Sequence, residues 1–245
     1  MTQKTKGIVL RAVKYGETSL IVTIFTELFG LQTYMVNGVR TSKQASQKAN
    51  YFQPAAILDM IVYHNEQKSI QRIKEFKWAH LYEHILTDVI KNSIALYIIE
   101  LLHKCLKQPE ANADLFHFCE DVLIQLDRSE KAVTANLALY FSLQLPYFFG
   151  FKIDDRHSDS ELILDLREGN FTNEQPTHAY FIDGEYAQLT ANLLKTIHPQ
   201  ELGQFKLNGE IRKKLLLSYQ DYYALHINDF GQMKTLPILH EVLSY

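Results

Sequence analysis

From Ile8 to Asn37 apolar residues recur with the two-residue period of strands, and glycines punctuate the run. The pattern predicts three short strands. In Ile8 to Tyr15, strict alternation puts Ile8, Leu10 and Ala12 on one face and Val9, Arg11 and Val13 on the other. Leu20 to Thr26 is β-branched and aromatic, and Leu31 to Asn37 repeats the mixture. A Gly16-Glu17-Thr18-Ser19 turn and a tight turn ending at Gly30 join them, because glycine takes a positive φ most easily. After Asn37-Gly38 the chain enters a polar loop that carries Arg40, Lys43 and Lys48. Three strands closing on a basic loop predict a small antiparallel barrel or sheet that binds something anionic.

Two more strands are expected, Ala55 to His64 and Lys68 to Phe76, with a turn at Asn65-Glu66. The last has no clean face: Ile70, Arg72, Lys74 and Phe76 fall on one side, Ser69, Gln71, Ile73 and Glu75 on the other. Charge then separates the chain. Residues 1–78 hold 11 Lys and Arg against 5 Asp and Glu, a balance of +6, whereas residues 79–245 hold 14 against 23, a balance of −9. A basic β-domain on an acidic helical body is the layout of a nucleic-acid module on a scaffold. Arg11, Lys14, Arg40, Lys43, Lys48, Lys68, Arg72, Lys74 and Lys77 are the candidate phosphate contacts. Tyr15, Tyr34, Phe52 and Tyr63 lie among them as candidates for base stacking, Tyr34 foremost.

From Trp78 the period becomes helical. Helices are expected over Trp78–Lys107 with a break near Lys91-Asn92-Ser93, over Ala113–Asp127, and over Ala132–Phe149 with a bend at Pro146. Glu161 to Thr172 reads as a hairpin turning at Glu168-Gly169-Asn170, and His178 to Ile182 as a further short strand. Helices return over Tyr186–His198, Gly209–His226 and Thr235–Ser244. The expected organisation is a β-domain at 1–78 and a helical domain at 79–245 with an insertion at about 152–182.

Several chemistries find no support. No window reaches the apolar length of a membrane span, and MTQKTKGIVL runs straight into a strand, which predicts a cytoplasmic protein, nucleoid-associated if it binds DNA. Cys105 and Cys119, both in helical patterns, make neither a disulfide framework nor a four-thiolate zinc site. There is no GxxxxGK(S/T) or GxGxxG loop and no HExxH. Asp154, Asp155, His157, Asp159, Glu161 and Asp165 are dense enough to suggest a metal-dependent hydrolase, but their spacing matches no EF-hand loop. A solvated acidic loop is the better reading, and no catalytic residue, metal or cofactor is assigned.

The order Tyr15-Gly16-Glu17-Thr18, Leu20 to Thr26, Gly30, Gly38, Arg40, Ser42, Lys43 resembles the N-terminal domain of the RecO family of DNA repair proteins. FFGF at 148–151, LDLREGNF at 164–171 and KTLPILHEVL at 234–243 follow in the family's order, so the likeness reaches both ends. Two departures are plain. Asn37 and Thr41 stand where the family often has basic residues, and the four cysteines that many members carry around the hairpin are absent. The resemblance implies an α+β fold, an N-terminal five-stranded OB-fold barrel followed by a mostly α-helical domain with a zinc-less hairpin insertion. The strand count agrees, although alone it fits other small barrels. The resemblance further implies a recombination mediator that binds single- and double-stranded DNA and anneals complementary strands. It would engage the acidic C-terminal tail of single-stranded DNA-binding protein (SSB) and, with RecR, load RecA. An acidic tail needs an apolar pocket rimmed by cations: Arg128, Lys131 and Lys152, or Arg212 to Lys214, are the candidates. The rival reading is a helical adaptor without DNA activity.

Overall fold

A computed structural model describes residues 2–39, 48–155 and 163–243. They form two compact units, one of Met1–Glu83 with Leu106–Ile124, the other of His84–Cys105 with Gln125–Tyr245.

In the first unit, β1 (Thr2–Tyr15), β2 (Ser19–Thr26), β3 (Gly30–Val36), β4 (Ile57–Tyr63) and β5 (Gln71–Trp78) close into a barrel of order β1-β2-β3-β5-β4. This is the five-stranded OB-fold. Closure depends on β1 serving two neighbours: Thr2–Ile8 pairs with β4, and Gly7–Tyr15 with β2. At the crossover a Cβ on Gly7 would lie 2.5 Å from both Ile24 Cγ2 and Met60 Cε, so only glycine fits the corner.

Two β-bulges correct the faces expected from strict alternation. The register of β1 shifts between Val9 and Arg11, so Val9 and Ala12, not Val9 and Val13, face the barrel core. In β5 a shift opposite Ile61/Val62 leaves Lys74 as the extra residue. Gln71 and Ile73 point inward before it, Phe76 and Trp78 after it. A bulge inserts one residue and flips every following side chain, which is why the strand looked faceless. This strand also starts at Gln71 rather than Lys68.

Helix α2 (Ala113–Arg128) packs its first turns on the outside of this barrel. Phe116 meets Phe25 at 5.8 Å between ring centroids, and Glu120 holds the Lys6 ammonium at 2.8 and 3.0 Å. That carboxylate raises the Lys6 pKa, an effect that favours the folded state until pH climbs past the ordinary lysine range. Gly30, at φ 61°, leaves no room for a side chain either: a Cβ would stand 2.1 Å from the Glu110 carbonyl oxygen.

In the second unit α1 spans Val89–Cys105, and residues 79–88 are turns, not the helix expected from Trp78 onward. Asp127 accepts the His84 and Ile85 amides at 2.8 and 2.9 Å, and Asp88 caps α1 by accepting from Ile90 and Lys91. Lys91, Asn92 and Ser93, where a break was expected, bond back to Asp127, Ile85 and Val89 carbonyls and leave the helix intact. Helix α3 (Lys131–Gln144) passes into a 3-10 turn at Leu145–Phe149, where Pro146 lacks the amide needed to continue. Helices α4 (Gly184–Leu194), α5 (Gly209–His226) and α6 (Thr235–Val242) complete the bundle.

The insertion is a small sheet of β6 (Ile163–Asp165), β7 (Asn170–Thr172) and β8 (Phe181–Asp183), in the order β7-β6-β8. Side-chain packing holds it. Asp165 accepts the Arg167 and Glu168 amides and faces His178 Nε2 at 3.3 Å, while His226 bonds the Leu166 carbonyl and stacks on Phe151. A chelator is therefore expected to leave the melting temperature within about 1 °C, since a structural zinc would contribute folding energy directly. Elemental analysis finding one zinc per chain would overturn this.

Candidate nucleic-acid interface

The barrel's outer surface is not uniform. Ile8 and Phe25, cross-strand neighbours, are wholly buried, and α2 covers Phe25 through Phe116. At the other end of the same strands the outward row stays open. It runs Val13, Ile21, Met35, Arg72, Tyr63 through successive cross-strand pairs. Val13 is 44% and Tyr63 48% exposed, Arg72 is exposed, and Ile21 and Met35 are partly so. Arg11, opposite Thr23, and Tyr15, 56% exposed and opposite Ser19, flank that row. Lys14 pairs with the inward Leu20 but sits at the barrel mouth, exposed.

The arrangement offers a shallow apolar and aromatic floor with cations at its margins. Neutral π faces stack on such a floor while phosphates meet the cations, a division of labour that tolerates any base. The β1–β2 turn closes one side, tied to the chain beyond β3 by the Val39 amide donating to the Thr18 carbonyl. The β4–β5 loop, residues 64–70, closes the other. In OB-folds these two loops bracket the oligonucleotide surface.

Of the residues singled out from sequence, Arg11 and Arg72 lie on this outward face, Lys14 stands at the barrel mouth beside it, and Lys68 stands exposed on the β4–β5 loop. No ion pair involves these four among the described residues. Lys74 and Lys77 are different: Lys74 lies 3.4 Å from Glu75 and Lys77 3.5 Å from Asp59. Lys48 is helical and lies just before Asn50–Phe52, whose Tyr51 and Phe52 pack on Phe76 and Trp78. Arg40 and Lys43 lie outside the described residues.

Tyr34 is a correction. Its side chain is 0% exposed inside the barrel, where burial pushes the phenol pKa well up, so no base reaches it. Phe52, 1% exposed, is likewise core. The stacking candidates that remain are Tyr15 and Tyr63. Val13 was hidden by the β1 bulge, which puts it on the opposite face from Val9, whereas Ile21 and Met35 face outward by ordinary alternation in β2 and β3 and carried no signal beyond being apolar.

The second unit contains a cavity of about 690 Å³ that meets the requirement for an amphipathic acidic ligand. Ile90, Ala132, Ala135, Val242 and Leu243 supply apolar wall, and Lys91, Lys131 and Arg212 supply cations, with Asp88 the one acidic side chain among the described residues that line it. Asp88 is already engaged as the α1 cap. Arg212 is held from behind: its Nε donates to Asn136 Oδ1 at 3.0 Å, and burial lowers its pKa. The cavity thus unites Lys131 and Arg212, which the sequence left as alternatives. Arg128, Lys152, Lys213 and Lys214 do not line it, and Lys214 sits 3.9 Å above the Tyr186 ring. Lys91 carried no sequence signal beyond being a lysine in an apolar helix.

Among the described residues no three or more His, Cys, Asp or Glu side chains are grouped to hold a metal. Asp165 Oδ1 accepts the Arg167 and Glu168 amides of its own turn; His157, Asp159 and Glu161 lie outside the described residues. No helix among the described residues is long and apolar enough to cross a membrane.

Two family profiles cover nearly the whole chain: recombination protein O N terminal at residues 1–82 and recombination protein O C terminal at residues 86–236. Among curated relatives, a DNA repair protein RecO of Flavobacterium psychrophilum is 34% identical over all of both chains. Proteins of the same name from Bacteroides fragilis and Flavobacterium johnsoniae are 33% and 32% identical, over 99% and 100% of each chain.

Proposed function

Since this chain belongs to the RecO family of DNA repair proteins, we propose that it is a DNA-binding recombination mediator whose barrel holds the nucleic acid. The observation that carries the reading is the open outward row Val13–Ile21–Met35–Arg72–Tyr63 with Arg11 and Lys14 beside it. Cations displace counterions from phosphates irrespective of sequence, and duplex and single strand both present phosphates. A single strand additionally gains stacking on Tyr15 and Tyr63. Because the floor reads no base edge, a second strand finds the bases still free to pair, which is what annealing requires.

The partner roles follow from the same family. The SSB tail, acidic with an apolar end, fits the cavity lined by Lys91, Lys131 and Arg212, and binding there brings the mediator to coated single strands. RecR and, through it, RecA would then exchange for SSB. A tail peptide is expected to bind the wild-type chain and to lose most of its affinity in Lys131→Glu; undiminished binding would move the site elsewhere.

DNA binding itself is tested by titrating single-stranded DNA at two salt concentrations. Six phosphate contacts, as the +6 balance of residues 1–78 suggests, give a log–log slope of about −4. Affinity indifferent to salt would reduce the protein to an adaptor.

A further inference from the structure

Gln71 is the odd residue of the barrel wall: a carboxamide at an inward position, 2% exposed. The three hydrogen bonds it makes among the described residues all end on the β4–β5 loop. Its Nε2 donates to the Asn65 and Lys68 carbonyls at 2.8 and 2.7 Å, and its Oε1 accepts the Asn65 amide at 3.0 Å. The loop it grips has little else. The Lys68 amide closes a turn on the Asn65 carbonyl, and Asn65 Oδ1 takes the Gln67 amide. Glu66, Gln67, Lys68, Ser69 and Ile70 are all exposed.

We propose that Gln71 is a positioning residue that presets the β4–β5 loop so that Lys68 meets a phosphate of the bound strand. The proposal rests on the barrel face being the DNA site. Register places the loop's end: β5 starts parallel to β3 at the Tyr34–Gln71 pair, so the loop enters β5 beside the middle of β3. The stack of His64 on Phe29, 4.0 Å between centroids, anchors the loop's start beside the residue that precedes β3. Lys68 carries no ion pair among the described residues, so its charge is available to a ligand. A loop of this length without internal packing would sample many conformations, and the ligand would have to order it; a carboxamide locking three main-chain groups removes that requirement in advance.

The test is a double-mutant cycle on the full chain with oligothymidylate as probe, each variant titrated at two salt concentrations. Lys68→Ala is expected to weaken binding about fourfold at 0.15 M salt and to make the salt slope shallower by about 0.7. Gln71→Met keeps the buried volume, removes the three bonds, and should move both readouts the same way. The double variant should then bind within about twofold of Lys68→Ala, since a residue acting through Lys68 has nothing left to position. A merely structural Gln71 would give additive losses and leave the slope unchanged, which overturns the proposal. If Gln71→Met does not fold, Asn65→Ala, which loosens the same turn from its exposed side, must show the same non-additivity. Wild-type binding with Lys68→Ala silent overturns the loop assignment alone. Absence of wild-type binding overturns the function as well.

Discussion

Reversing Arg11, Lys14 and Arg72 together to glutamate is expected to weaken single-stranded DNA binding by two to three orders of magnitude at about 0.15 M salt. On a single strand each phosphate contact contributes about 0.7 to the salt slope, so losing one at this ionic strength costs roughly fourfold. Three lost contacts multiply to roughly sixtyfold and make the slope shallower by about 2, and the repulsion that reversal adds raises the loss to between about a hundred- and a thousandfold. The loss should be alike for all DNA sequences, because phosphate contacts position without specifying. Stability should hardly change. All three side chains are exposed and none is ion-paired among the described residues, and such surface substitutions usually stay within about 0.5 kcal/mol. Unchanged melting with collapsed binding, read by anisotropy titration, is the signature; a triple variant that binds like wild type would place the DNA elsewhere.

The largest expected loss of stability comes from Asn136→Leu. Asn136 is 0% exposed on α3, and its carboxamide ties together three chain segments of the second unit. It donates to the Leu202 and Phe205 carbonyls at 3.0 and 2.8 Å and accepts from Arg212 Nε. Leucine fills similar volume but leaves two carbonyls and a half-buried guanidinium without that partner. Neutral groups stranded in this way cost about 1–3 kcal/mol each, and charged ones more. A net loss of about 3–4 kcal/mol is expected, or some 8–14 °C in melting temperature for a chain of this size. Arg212 would also lose its orientation at the cavity, so the acidic tail should bind more weakly while the barrel keeps its DNA affinity. A loss below about 1 kcal/mol would mean that the junction is not what holds Leu202, Phe205 and α5 together.

Much of the barrel is legible from the alternation and glycine turns alone. The positions that mislead do so for one physical reason. A bulge is a single extra residue with no compositional mark, and Leu10 and Lys74 look like ordinary members of their strands. Once they are counted through, parity inverts and the wrong side chains are sent outward: Val13 was placed with Val9, and Arg72 with Phe76. Tyr34 misled differently, because a tyrosine among cations looks the same whether its strand points it in or out. In the helical part, apolar periodicity located the elements but not where α1 begins. Asp88 and Asp127 fix that start, and Asp127 is nearly forty residues further along the chain. The cavity was legible only as a requirement, since Lys131 and Arg212 lie far apart in sequence and meet through Asn136.

The basic barrel face for DNA and the cavity in the second unit for the acidic tail are two separate proposed sites, and salt tells them apart. DNA binding at the barrel is expected to be driven by many released counterions. Tail binding is expected to bury apolar surface as its main contribution, with a few cations acting at short range, inside the Debye length of about 8 Å at physiological salt. The measurement is a pair of titrations on the wild-type chain, single-stranded DNA and tail peptide side by side, from 0.05 to 0.2 M salt. The predicted result is a roughly two-hundredfold fall in DNA affinity, as a slope of about −4 requires, against less than about tenfold for the peptide. Equal slopes for both ligands would mean that one shared basic surface serves them, and would contradict the two-site account.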